Sequence, residues 1–335
     1  MTANTADTLG SRYDAFLLDL DGTVWEGGRA INYAVETLNQ CAAKRVYVTN
    51  NASKAPAVAA RQLSALGLDT TADDVFTSAQ AAILLCAKYV GKGDKVLVLG
   101  TDSFRELASD YGYHVVTSAD EQPAAVLHGH NPDTGWAQLS EAALAIRAGA
   151  RYIASNLDTT LPLERGLHVG NGSMVAAVTS ATGVVPESAG KPEPAMFTLV
   201  TEKIGATAPL AIGDRLDTDI AGGVAAGVDT LQVVTGVSGH REIIAAPVEQ
   251  RATYLAADMR ALFSAPADLV PQAQGGFTAD FLPSGDIVLR GGTEDSDEMH
   301  ALRTVAAVAW ATPTAFLGVV RAEGTQAERA VGAWR

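Results

Sequence analysis

The chain reads as an α/β protein built mainly from parallel strands, with a large insertion in its middle and a small unit of different character at its end. Three observations predict this. Short apolar runs alternate with stretches of helical periodicity over most of the length. Thr49 lies 30 residues beyond Asp19, enough for one βαβ unit, whereas Lys191 lies 142 residues beyond Thr49, far more than one or two such units need. After Ser264-Ala265-Pro266-Ala267-Asp268, which reads as a linker, the alternation gives way to a hairpin and one further helix.

The elements follow in order. Residues 1–12 form a polar tail without the charged and apolar regions of a secretion signal. Apolar runs at 15–20, 46–49, 75–77, 96–100, 124–128, 152–154, 210–213, 231–234 and 254–256 read as strands. The stretches 30–44, 56–66, 79–90, 104–111, 139–148, 194–204 and 220–226 carry the 3.6-residue period of helices. Gly91-Lys92-Gly93-Asp94 and residues 186–192 are plausible hinges around the insertion. Near the end, 278–282 and 286–290 flank Pro283-Ser284-Gly285 as a hairpin, 298–310 is helical and 316–320 is strand-like. These signals give core segments 12–91 and 185–263, an inserted domain 92–184 and a small C-terminal unit 270–335, the last marginal if it had to fold alone.

Composition narrows the partners. The formal charge of −14 argues against nucleic acid and anionic membranes. It would also repel a phosphorylated substrate, although that field is screened beyond about 8–10 Å at physiological salt, so local cations must do the binding. Cys41 and Cys86 lack metal-ligand spacing and read as reduced thiols of a cytoplasmic protein. No apolar run is long enough to span a bilayer.

The chemistry concentrates at strand ends, where open α/β sheets collect their sites. Asp19 and Asp21 leave the first strand on one side while the strand lasts. Two like charges held close repel unless a cation sits between them or one takes a proton. Thr49-Asn50-Asn51 ends the second strand, Gly190-Lys191-Pro192 follows the insertion, and Gly213-Asp214-Arg215-Leu216-Asp217-Thr218-Asp219 follows a later apolar strand.

These four pieces, in this order, resemble the motifs of the haloacid-dehalogenase-like phosphatases, over residues 12–262. The insertion between the second and third pieces resembles that of the subfamily with a large α/β cap, to which 4-nitrophenyl-phosphatase-like, phosphoglycolate and pyridoxal-phosphate phosphatases belong. The resemblance implies a doubly wound, Rossmann-like parallel sheet core with an inserted α/β cap domain and a small α+β C-terminal extension. It implies Mg²⁺ held by the Asp19 and Asp214 carboxylates and the Asp21 carbonyl, with Asp219 as a supporting residue or a direct ligand. Asp19 corresponds to the nucleophile and Asp21 to the general acid and base, a role that needs a raised pKa. Gly22, Thr49, Asn50 and Asn51 would surround the phosphoryl group, and Lys191 would neutralise it, as the net charge requires.

Within the insertion, Ala154-Ser155-Asn156-Leu157-Asp158 resembles a family stretch, in which Asn156 and Asp158 either bond substrate hydroxyls or build the loop's own Asx-turns. Gly170-Asn171-Gly172-Ser173-Met174 resembles the return to the core. His130 departs from the family pattern and either faces the substrate or is a loop histidine; no third ligand accompanies His128 and His130 as a metal pair.

A large cap favours a small phosphorylated metabolite. The whole-chain pattern, extension included, looks most like the glycerol-3-phosphate phosphatases of actinobacteria, with phosphoglycolate, pyridoxal phosphate or a sugar phosphate as alternative substrates. The extension lacks a Gly-rich acetyl-CoA loop, so packing or assembly fits it better than acetyl transfer. A homodimer is among the partners the resemblance implies. A phospho-acceptor signalling module is the further alternative, opposed by Asp21, which would hydrolyse the signal.

Overall fold

The computed structural model describes residues 7–163 and 165–334. It divides into two compact units: the first holds the chain up to Val46, Leu66–Asp69 and everything from Ala206 onward, and the second holds Tyr47–Ala65 and Thr70–Gly205. The architecture is α/β and Rossmann-like, with parallel sheets flanked by helices and a small separate sheet near the C-terminus.

In the first unit the strand Ala15–Leu18 has all four side chains buried, as a strand covered on both faces requires. It pairs in parallel with Pro209–Gly213, Ala15 facing Pro209 and Leu18 facing Ile212. Pro209–Gly213 pairs in turn with Asp229–Val233, and that strand with Tyr254–Ala256. The Lys44 amide donates to the Asp14 carbonyl at 3.0 Å, so the strand Lys44–Thr49 starts at residue 44.

The segment from Phe277 onward forms a three-stranded sheet in which Phe277–Phe281 is antiparallel to Ile287–Gly291, and that strand is parallel to Val320–Glu323. The helices Glu298–Ala309 and Thr325–Gly332 complete it. Phe277, Leu302, Val305 and Trp334 share one apolar cluster with Leu216, Ile220, Ile243 and Leu255 of the parallel-sheet region. Two arginines stitch the same boundary. Buried Arg303 donates from Nε to the Leu255 carbonyl at 2.8 Å, and burial pushes its pKa down to about 10. Arg251 donates to the Trp310, Thr312 and Thr314 carbonyls. A unit marginal by itself thus gains its core by sharing one.

In the second unit Tyr47–Thr49 pairs with Val75–Thr77. Thr77 and Gln80 then form a reciprocal capping box that starts the helix Ser78–Cys86. A second, all-parallel sheet runs in the order Glu187–Ser188, Arg151–Ala154, Ala125–His128, Lys95–Leu99, His114–Val116. Helices Asp102–Tyr111, Trp136–Arg147 and Asn171–Thr182 accompany it, and Thr160–Leu163 with Gly166–Val169 makes an antiparallel arm.

Several expectations change. The helix expected over 30–44 shrinks to Ala34–Leu38. Gly27 and Gly28, at φ 55° and 80°, make a tight turn that pairs Trp25–Glu26 with Arg29–Ala30, and residue 44 is already strand. Only a short helix fits between. The strand expected at 316–320 lies instead at Val320–Glu323, while Phe316 packs into the shared core. The Gly170–Met174 stretch opens a helix, Asn171–Thr182, whose periodicity its many small residues conceal. Ser264–Asp268 is no loose linker: it follows one tight turn, Met259–Phe263, and contains another, Pro266–Asp268, and the Leu9 amide donates to the Ser264 carbonyl at 2.8 Å.

Two predictions follow from packing. Leu302→Ala should cost about 2–5 kcal/mol, as cavity formation in a full core does, and in urea the C-terminal segment should unfold together with the parallel-sheet region of the first unit, because the cluster is shared. The second concerns His128, fully buried, with Nδ1 at 2.9 Å from the Tyr152 hydroxyl and Nε2 without a hydrogen-bond partner among the described residues. Burial pushes its pKa down to about 4. A depressed histidine contributes stability above its unfolded pKa near 6.5, and loses it as pH falls toward the folded value. Between pH 8 and 5 the wild type should therefore lose about 2 kcal/mol more than His128→Gln, measured by urea unfolding at both pH values.

Candidate active site

Two clusters of polar side chains form, one in each unit, and each is built at the carboxyl ends of parallel strands.

The first is acidic. The strand ends at Leu18, and the Asp19 amide donates to the Ile212 carbonyl at 2.9 Å, which carries the chain one step past the sheet. The backbone then turns: the Leu20 carbonyl accepts the amides of Val24 and Trp25, and the Gly22 amide donates to the Trp25 carbonyl at 2.7 Å. The strict alternation expected of Asp19 and Asp21 therefore stops. Asp19 is half-buried, Leu20 is buried, and Asp21 is exposed with Oδ1 accepting the Trp25 indole N–H at 2.9 Å.

Asp19, Asp214 and Asp219 place carboxylate oxygens within 4.8 Å of one another. Asp214 has no exposed surface. Its Oδ1 accepts the Thr23 hydroxyl at 3.1 Å, its Oδ2 accepts the Val237 amide at 2.7 Å, and its carbonyl accepts the Gln232 side-chain amide at 2.8 Å. Glycines make the space. A Cβ at Gly22, whose φ is +88°, would fall 2.5 Å from Asp214 Oδ2, and one at Gly236 would fall closer still. The Thr235 hydroxyl closes the turn by donating to the Gly22 carbonyl at 2.6 Å. Asp219, also buried, accepts the Arg215 amide at 3.1 Å through Oδ2. It stands on a wide helical turn, Leu216–Ile220, whose Leu216 and Ile220 anchor in the shared core. Asp217 turns elsewhere, to Arg215, whose guanidinium hydrogen-bonds both its oxygens and holds its carboxyl below the usual range.

Three convergent carboxylates offer only hard oxygen donors, the donor set that Mg²⁺ or Ca²⁺ takes. Without a cation, three charges this close would repel. The residues fit a divalent ion. His128 and His130 do not join any such group; among the described residues the acidic cluster is the only one found. His130 is half-buried, with its pKa pushed down by burial.

The second cluster is cationic and amide-rich. Thr49 ends its strand with Oγ1 accepting the Asn51 amide at 3.2 Å, and Asn51 Oδ1 accepts the Ser53 amide at 2.9 Å and hydroxyl at 2.7 Å. Lys191 is buried, and its Nζ donates to the Val48 carbonyl at 3.0 Å. The Asn50 side chain hydrogen-bonds Lys191 and Asp158, and its carbonyl accepts from Ser78 Oγ at 2.7 Å and from Asn156 Nδ2 at 2.9 Å. Asn156 is buried, and its Oδ1 accepts the Asp158 amide at 3.3 Å, which is the Asx-turn geometry.

Sequence reasoning assigned no role to Thr23, Trp25, Ser78, Gln232, Thr235, Gly236 or Val237. Thr235–Val237 follow a strand end, so the rule that sites gather there was the available signal.

Known proteins resemble the chain over most of its length. Residues 16–114 match the haloacid dehalogenase-like hydrolase family model, and residues 188–262 match a second model of HAD-like hydrolases. The chain is 40% identical to the D-glycerol 3-phosphate phosphatase of Mycobacterium tuberculosis over 92% of this chain and 89% of that protein. It is 35% identical to an acid sugar phosphatase of Staphylococcus epidermidis over 69% of this chain and 90% of that protein. The crystal structure of the glycerol phosphate phosphatase of Mycobacterium tuberculosis in complex with magnesium superposes with a TM-score of 0.92 at 39% identity, covering 98% of each chain. The 4-nitrophenylphosphatase of Thermotoga maritima gives 0.68 at 28% identity, over 76% of this chain and 97% of that one. With an acidic triad on strand ends and likeness of this extent, the chain belongs to the haloacid dehalogenase-like hydrolases.

Proposed function

We propose that the chain is a Mg²⁺-dependent phosphomonoester hydrolase that converts glycerol 3-phosphate to glycerol and phosphate through an aspartyl phosphate on Asp19. The observation that carries this is the convergence of Asp19, Asp214 and Asp219 carboxylates within 4.8 Å at strand ends. The substrate rests on the 40% identity to a D-glycerol 3-phosphate phosphatase.

The steps assigned to the chain's own residues balance simply. An Asp19 carboxylate oxygen attacks phosphorus, the ester P–O bond breaks, and the leaving alkoxide takes a proton from Asp21. Water then attacks the aspartyl phosphate, giving its proton to Asp21 and freeing Asp19 and inorganic phosphate. Asp19, Asp214 and the Asp21 carbonyl would hold Mg²⁺, with Asp219 in support or as a further ligand, and the bound ion would offset the charge of the phosphoryl group. Thr49 and the backbone amide of Asn50 are assigned to phosphoryl oxygens, Gly22 and Asn51 are further binding residues of this reading, and Lys191 supplies the local positive charge that a chain of net charge −14 requires. Asp21 is exposed, so burial does not prepare it for the acid role, and the Trp25 indole orients it. In this reading residues 12–91 and 185–263 perform the chemistry in the cytoplasm, 92–184 select the leaving group, and 270–335 support the fold.

Phosphate release from a panel of phosphomonoesters tests the reading. We expect hydrolysis that EDTA abolishes and Mg²⁺ restores, with glycerol 3-phosphate preferred over phosphoglycolate, pyridoxal phosphate and sugar phosphates. No release from any member would refute it. Asp19→Asn should lower kcat by about 10³-fold or more, roughly 4 kcal/mol of barrier. Asp21→Asn should lower kcat/KM for glycerol 3-phosphate at least about tenfold more than for 4-nitrophenyl phosphate, whose leaving group needs no proton; equal losses in kcat/KM, which does not include the later hydrolysis of the aspartyl phosphate, would remove Asp21 from the acid role.

A further inference from the structure

We infer that Asn50 is a positioning residue that sets the pose of Lys191 by gripping its backbone from both sides, and that Asp158 holds Asn50 in place. This rests on the phosphatase reading in one respect, that Lys191 binds the phosphoryl group.

Asn50 Oδ1 accepts the Lys191 amide N–H at 2.9 Å, and Asn50 Nδ2 donates to the Lys191 carbonyl at 3.0 Å. The same Nδ2 donates to Asp158 Oδ2 at 3.1 Å, which uses both hydrogens of the amide. One side chain therefore reads the donor and the acceptor of a single residue 141 positions away, and a third bond orients it from 108 positions away. A carboxylate offers only acceptors and an ammonium only donors, so neither can make this pair.

The frame around the grip is fixed. Ser78 Oγ and Asn156 Nδ2 both hold the Asn50 carbonyl. Gly190 leaves the approach open: a Cβ there would stand 2.9 Å from Asn50 Oδ1 and 2.6 Å from the Ser155 carbonyl.

The consequence is a register. The backbone of Lys191 sits on the Asn50 side chain, and its Nζ sits on the Val48 carbonyl at 3.0 Å. Both ends of the buried lysine are anchored on the two residues that flank Thr49. The ammonium and the Thr49 hydroxyl are thereby held at a set spacing, which is what two groups sharing one phosphoryl need. Asn50 thus acts through its side chain on Lys191, leaving its backbone amide for the phosphoryl oxygens. Asp158 acts through Asn50, beyond any contact of its own with the leaving group.

The isosteric variant Asn50→Asp keeps an acceptor for the Lys191 amide but loses both donated bonds and sets a carboxylate against Asp158. Adding Asp158→Asn returns a donor to that pair. The probes are inorganic phosphate, titrated calorimetrically with Mg²⁺ present, and kinetics on a phosphomonoester. Phosphate carries no alcohol, so its loss reads positioning and not a missing contact with the leaving group. Asn50→Asp should weaken phosphate binding at least about tenfold and lower kcat at least about thirtyfold, and the double variant should recover about tenfold of each. Phosphate affinity within about twofold of wild type in Asn50→Asp, alongside loss in Lys191→Ala, would overturn the inference, as would a double variant no better than the single. If Asn50→Asp does not fold, Asp158→Ala decides: phosphate binding about threefold or more weaker supports the tether, and unchanged binding refutes it. A wild-type chain that releases no phosphate from any ester sinks the phosphatase reading instead. The grip is then read from the same cycle in urea unfolding, where absence of recovery by Asp158→Asn overturns it.

Discussion

Three carboxylates within 4.8 Å of one another, two of them buried, are the constraint around which the first unit is arranged. At about 5 Å and an effective dielectric near 20, each pair of charges repels by about 3 kcal/mol. The surroundings answer with aimed donors: the Thr23 hydroxyl and the Val237 amide on Asp214, and the Arg215 amide on Asp219. Room for this crowding comes from residues without side chains, Gly22 and Gly236 against Asp214 and Gly213 against Asp219. Donors alone leave net negative charge in place, and a divalent cation would offset most of it. The strand ends, the glycines and the wide turn at Leu216–Ile220 are all explained by the need to hold these acids together.

Much of this was legible beforehand because it is local. Buried parallel strands read as apolar runs, and Asp19 and Asp214 stand just past the ends of two of them, with Asp219 on the turn that follows the second. What resisted reading was relational. Thr235–Val237 matter only because the chain brings them to Gly22 and Asp214, more than 200 residues from the first and 21 to 23 from the second. The stretch 30–44 carries helical periodicity, yet the paired glycines at 27 and 28 commit its start to a hairpin and the Asp14 carbonyl commits its end to a strand. Tertiary demands outweigh local preference there. Asn156 and Asp158 illustrate the limit on site residues: their motif marked them, and only the folded loop shows the Asx-turn between them.

The C-terminal segment presents the same lesson on a larger scale. Its sequence suggested an appendix behind a linker. Folded, it contributes Phe277, Leu302, Val305 and Trp334 to the cluster that also seats Leu216 and Ile220, the residues bracketing Asp219's turn. Arg303 and Arg251 cross the same boundary to backbone carbonyls, the kind of bond that fixes a relative pose rather than merely burying area. The apolar backing of the acidic loop is therefore drawn in part from the C-terminal segment of the chain.

The pairing of Ala15–Leu18 with Pro209–Gly213 bears on how the chain is born. At about 5–20 residues per second, a ribosome that has made residue 18 needs roughly 10–40 s to make the partner strand. Four consecutive apolar residues wait through that interval with one edge of their strand unpaired. The second unit is almost one continuous stretch of chain, so its strands and helices are complete while the first unit is still missing half its sheet. Cotranslational order thus inverts positional order: the strand that emerges first waits for a partner encoded roughly 200 residues later, a pairing of the long-range kind that slows folding.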